Sequence, residues 1–106
     1  MLKIGVQTQN AIDDACPEVG FNILREAGFD CVDFSLHGYL SNKDLYQGKR
    51  NDFFDKSISD LEKYFTPHKI AAKAAGITIH QMHMPYPMYM PKADVALNDY
   101  LIKNVA

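Results

Sequence analysis

The sequence predicts an α/β fold with parallel strands, and three observations carry that prediction. Alternating or β-branched apolar runs recur at 2–8, 31–36 and 78–83. The second and third runs are each reached from a helix-like stretch through a glycine: Glu26-Ala27-Gly28-Phe29-Asp30-Cys31-Val32 and Ala74-Ala75-Gly76-Ile77-Thr78-Ile79. A strand–helix–strand–helix–strand order implies right-handed crossovers and parallel strands. The third run opens into the prolyl turn His83-Met84-Pro85-Tyr86-Pro87. Proline cannot donate to a ladder, so the strand stops near His83 or Met84. That leaves a histidine at a C-terminal strand end, the edge where α/β folds bind ligands.

Leu2, Ile4 and Val6 alternate with Lys3, Gly5 and Gln7, a period of two. Gly5 suits close packing on one face, and Gln7 points to that side, toward the next strand's loop or a ligand. Residues 9–16 form a loop, and Pro17 suits the first position of a helix. Val19, Ile23, Leu24 and Ala27 give that helix an apolar stripe, and Gly28 ends it. In the second strand Val32, Phe34 and Leu36 should pack under the helices. Cys31, Asp33 and Ser35 should face the other way, and His37 follows at the strand end.

Residues 38–56 have no clean period and read as a long loop with a short helical piece. Such a loop is either a lid or a surface excursion. Lys49 and Arg50 read as a solvated turn, with contact to a substrate phosphate as the alternative. A helix follows from Ser57 or Ser59 as cap, with Ile58, Leu61 and Phe65 on one side. Pro67 predicts a kink or a fresh start capped by Thr66. Ile70, Ala71 and Ala74 continue the apolar face, and His68 is expected in solvent. After a loop over 88–92, a last helix over 93–106 turns Leu97, Leu101, Ile102 and Val105 inward. Met82, Met84, Met88 and Met90 read as core or loop filling.

The chain of 106 residues is one domain or part of one, spanning 1–106. A net charge of −2 gives no overall attraction to nucleic acid or an anionic membrane, so neither is an expected partner. The N-terminus does not read as a signal peptide, and no run is apolar and long enough to span a bilayer. Two cysteines, Cys16 and Cys31, are too few for a disulfide framework. A cytoplasmic location is expected, with Cys31 a reduced core thiol.

The chemically capable groups near the strand ends are Asp33, His37, His80 and His83. Asp33 reads as a satisfied buried carboxylate or as a group for substrate binding and acid–base work. His80 and His83, three apart on a strand, point to opposite faces and make a poor zinc pair. Parity puts His80 on the inner face with Thr78 and Met82. It puts His83 on the helix side with Ile77 and Ile79, unless the turn at Met84-Pro85 reverses it.

Four stretches in this order resemble the xylose isomerase-like barrel superfamily. They are Lys3-Ile4-Gly5-Val6-Gln7-Thr8, then Ala27-Gly28-Phe29-Asp30-Cys31-Val32-Asp33-Phe34. Pro67-His68-Lys69 leading to Ala74-Ala75-Gly76-Ile77 follows, and then His83-Met84-Pro85-Tyr86. The superfamily contains sugar isomerases, epimerases and a metal-dependent apurinic endonuclease. The resemblance implies the first three β/α units of a TIM (β/α)8 barrel, whose full length is ~250 residues. It also implies that His83 faces an active site. Asp33 stands where the family usually has Glu, which shortens the reach of that carboxylate. The family's metal ligands lie on later strands. No cofactor or metal is therefore expected on this stretch alone, and a divalent metal is implied for the complete protein.

The reading is the N-terminal part of a metal-dependent sugar or sugar phosphate isomerase/epimerase, abstracting a proton next to a carbonyl. Gln7, Asp33, His37 and His83 are its substrate-binding candidates. The alternative is a non-catalytic α/β assembly module. Either way this stretch alone is expected to be catalytically silent and to form homo-oligomers or join a missing C-terminal half.

Overall fold

A computed structural model describes residues 2–85 and 95–105. Tyr86, Pro87, Met88, Met90 and the ends of the last expected helix lie outside the described residues. Strand β1 spans Gly5–Gln7, helix α1 Pro17–Glu26, and strand β2 Cys31–Ser35. Helix α2, Asn42–Tyr46, is followed by α3, Ile58–Ala75, and strand β3, Thr78–His83. Helix α4, Val95–Tyr100, runs into a π-helical turn, Leu101–Val105. The strands form one parallel sheet in the order β1-β2-β3, as the repeated helix–glycine–strand pattern predicts.

The two helix-to-strand junctions are closed in the same way. Gly28 and Gly76 have φ of 98° and 72°. The Phe29 and Ile77 N–H groups donate back to the Leu24 and Ala72 carbonyls at 3.1 and 2.9 Å. This left-handed glycine ends the helix and satisfies its last carbonyls. Val32, Phe34 and Leu36 are buried on the helix side, where Phe21, Leu24, Ala71 and Ala72 join the same core.

The apolar stripe of α1 differs from the expected one. Pro17, Gly20, Phe21 and Leu24 are buried, whereas Val19 and Ile23 are 53% and 58% exposed and Ala27 is exposed. Gly20 explains the rotation: with no side chain it lets α1 sit directly on Ala11 and Ile12 of the preceding loop. Helix α3 does not restart at Pro67. It runs through the proline, and the Thr66 hydroxyl donates to the Glu62 carbonyl instead of capping a new helix. Ser57 caps it, accepting from the Asp60 N–H at 3.1 Å. Its inward line is Leu61, Phe65, His68, Ala71 and Ala72, and the expected members Ile58, Ile70 and Ala74 are exposed.

Residues 38–56 are not a plain loop. They hold two 3₁₀ turns, His37–Tyr39 and Phe53–Asp55, on either side of α2. Leu40, Leu45 and Phe54 are buried in the core with Leu97, Leu101 and Val105. Tyr39, Phe53, Tyr64 and Phe65 interlock edge to face or stacked, fixing the stretch to α3. Ile102, expected inward, is 57% exposed. The buried line of this segment is Leu97, Leu101 and Val105, spaced by four.

Gly20→Ala should destabilise the chain by about 1–3 kcal/mol, because the added methyl would meet the Ile12 side chain at 2.8 Å and the Ala11 carbonyl closer still. That overrides the gain alanine gives an exposed helix. Gly38→Ala, with open space around it, should change stability by less than about 0.5 kcal/mol. Urea denaturation of the two variants checks the contrast, and equal midpoints would refute it.

Candidate functional site

Sheet register decides which side chains meet. Val32 pairs with Ile79 but Asp33 pairs with Gln81, so β3 carries one extra residue, His80, as a bulge. The alternation inverts beyond it. Gln81 and His83 come opposite Asp33 and Ser35 on the inner face, and Met82 comes opposite Phe34 on the helix side. Simple parity predicted the reverse for Met82 and His83. His80 does lie against the inner face, beside Cys31 and Gln81. Both cysteines are free thiols.

Three of the expected residues, Gln7, His37 and His83, line one cavity of about 240 Å³ at the strand ends. Gln9, Ser35 and Asn42 complete its wall. The Leu36 N–H donates to the His83 carbonyl at 2.8 Å, which pins the histidine at the sheet edge. Asp33 lies one step deeper. Its Oδ2 accepts from the Gln81 amide at 3.0 Å and lies 3.8 Å from His83 Nδ1. Its Oδ1 is buried with no hydrogen-bond partner among the described residues. The buried, fully satisfied carboxylate is therefore not what forms here. Gln9 and Asn42 have signals in the sequence: Gln9 lies two residues past the end of β1, and Asn42 opens the helix that Ser41 caps.

A second cavity, about 210 Å³, adjoins the first and shares Gln9 and Ser35 with it. Between them Gln9 has φ of 40°. For a non-glycine residue that conformation is strained, and such strain concentrates at functional walls. The turn is closed by the Ala11 N–H donating to the Thr8 carbonyl at 2.7 Å. Thr8 is itself buried, and its hydroxyl accepts from the Ser35 N–H at 2.9 Å.

Asp14 borders this second cavity and holds a cluster that sequence reasoning missed. His68, expected in solvent, is 2% exposed, and its Nε2 lies 2.6 Å from Asp14 Oδ1. The Tyr39 hydroxyl donates to the same oxygen and the Tyr64 hydroxyl to Oδ2 at 2.9 Å. Partial burial alone would raise the Asp14 carboxyl. Hydrogen bonds from Tyr39, His68 and Tyr64 outweigh it and hold the group below its ordinary range. Burial pushes the Tyr39 and Tyr64 phenols up, and their bonds to Asp14 add to that, taking Tyr64 to about 12. The cluster ties the loop after β1 and the 3₁₀ turn after β2 to α3.

Another concavity, about 540 Å³, lies on the helix side between Phe34, Phe65, Ile79 and Met82, with Glu62, Thr66, His68 and Lys69 on its α3 side. Its lining is mostly apolar, so it offers packing surface more than convergent polar groups. Among the described residues no three His, Cys, Asp or Glu side chains come together as a metal site. No described helix is long and apolar enough to cross a membrane.

Fold and site together define a parallel α/β unit with a polar cavity at its C-terminal strand ends. No family model matches the chain, and no curated protein or solved structure matches it either.

Asp14→Asn should destabilise the chain at neutral pH, and the gap from wild type should close as pH falls. A carboxylate with a depressed folded pKa stabilises fully above its unfolded value, about 3.9, and loses that contribution as pH drops through the folded one. Tyr64 works in the opposite sense: its contribution is complete below about pH 10 and fades as pH rises toward about 12. Thermal unfolding of wild type, Asp14→Asn and Tyr64→Phe across pH checks both. A gap for Asp14→Asn that stays constant into acid would contradict the ionised cluster.

Proposed function

We propose that the chain forms the opening part of a metal-dependent sugar or sugar phosphate isomerase/epimerase of the barrel class its motifs resemble, and that the strand-end cavity binds the substrate. The observation that carries this reading is the convergence of Gln7, His37 and His83 on one cavity, with Asp33 beneath. Isomerisation of a sugar moves a proton between neighbouring carbons and their oxygens. The His83 imidazole, with the Asp33 carboxylate 3.8 Å from its Nδ1, stands where a general acid–base for such a proton is needed. The Gln7 and Asn42 amides can both donate to and accept from sugar hydroxyls. A divalent metal, implied by the resemblance, finds two convergent donors here, Asp33 and His83, and no third among the described residues. No step is derived through it.

A second reading is a non-catalytic module that assembles with copies or a complementary chain. Exposed apolar residues favour it: Leu2 and Ile4 just before β1, Val19 and Ile23 on α1, Ile70 on α3 and Met82 in β3. Both strand edges are unpaired among the described residues, and open parallel edges favour association. Both readings therefore call for a covering partner.

Titration of the chain with aldoses, ketoses and their phosphates tests the enzyme reading. His83→Ala should weaken sugar binding by about tenfold while moving the melting temperature by a few degrees at most. A large loss of stability with unchanged binding would assign His83 to the fold. Light scattering should report oligomers, and a well-behaved monomer would count against the covering partner.

A further inference from the structure

We propose that the site takes an uncharged sugar, and that the second cavity receives a neutral, hydroxylated end of it rather than a phosphate. The inference rests on the sugar-site reading above and deepens it. The two cavities share Gln9 and Ser35, so a substrate longer than the first cavity can extend past Gln9 into the second. What it meets beyond Gln9 is the Asp14 carboxylate. An ionised carboxylate accepts about four hydrogen bonds, two on each oxygen. Tyr39 and His68 occupy Oδ1, and Tyr64 takes one position on Oδ2. Among the described residues one acceptor position on Oδ2 is left, which suits a hydroxyl donor and repels an anion.

The rest of the lining agrees. Among the described residues neither cavity is lined by Lys or Arg, and His37 and His83 are the groups there that can carry positive charge. Both belong to the first cavity. Arg50, a candidate phosphate contact from the sequence, is engaged elsewhere. It pairs with Asp55 at 3.0 Å and lies over the Tyr100 ring, 3.8 Å from its centroid. Helix α2, five residues long, is too short to supply a phosphate site at its start, and Ser41 already satisfies its Asp44 N–H. The depressed pKa of Asp14 keeps it anionic through the neutral range.

Isothermal titration of the 106-residue chain with D-fructose and D-fructose 6-phosphate tests this. Wild type should bind the unphosphorylated sugar about tenfold more tightly. Asp14→Asn, which removes the charge, should narrow that ratio. Asn10→Lys, which adds a cation at the exposed wall of the second cavity without touching the Asp14 cluster, should narrow it too by strengthening phosphate binding. If Asp14→Asn loses its cooperative unfolding transition, Asn10→Lys carries the test. Equal or tighter binding of the phosphate by wild type overturns the inference and leaves the sugar-site reading standing. A preference that Asn10→Lys leaves unchanged also overturns it, since the charge of this cavity would then not be its source. Binding of neither sugar overturns the sugar-site reading, and this inference with it.

Discussion

The site depends on one extra residue in one strand. Both ladders of the sheet run through β2, so β1 and β3 are positioned only by their register against it. A bulge at His80 shifts the second ladder by one, and every side chain after it changes face. Without it His83 would point at the helices and Met82 into the polar face. With it, His83 stands over Asp33, and Met82 joins the apolar wall with Phe34 and Phe65. The bulge also leaves Gln81 level with Asp33, where its amide takes one carboxylate oxygen and leaves the other without a partner among the described residues. A single backbone irregularity thus sets both the location of the imidazole and the environment of the acid behind it.

The parallel order, the glycine-closed helices and the burial of Val32, Phe34 and Leu36 were legible in the sequence, because each rests on local pattern. The face of His83 was not. Parity counts residues along one strand, and a bulge is a property of two. Helix orientation failed for a related reason. Val19 and Ile23 are more apolar than Gly20, yet the absence of a side chain at Gly20 decides how closely α1 approaches the loop below it. His68 could have been found: Leu61, Phe65, His68 and Ala72 follow helical spacing, and the polar label of histidine hid its place in that line. Its partner could not, since Asp14 lies 54 residues away across an irregular loop.

Asp14 also changes how the 38–56 stretch should be regarded. A lid over a site needs few anchors and a free end. This stretch buries Leu40, Leu45 and Phe54, stacks Tyr39 on Phe53, and donates a phenol to Asp14. It is built as a wall. Asn42 borders the cavity because the wall is fixed, and the polar groups it presents are held before any ligand arrives.

The two glycine-closed helix ends have a consequence for assembly of the chain. After each of them the backbone is handed to the strand laid down just before: Asp30 N–H to the Ile4 carbonyl, then Thr78 N–H to the Asp30 carbonyl. Each new strand therefore finds its neighbour already emerged, separated from it by α1 in the first case and by the segment holding α2 and α3 in the second. Loop-closure entropy is met one unit at a time, and the contacts of each unit are local compared with those of a sheet whose neighbours are distant in sequence. A chain wired this way can grow in the order of its synthesis, with β2 as the template for β3 in the way that β1 is the template for β2.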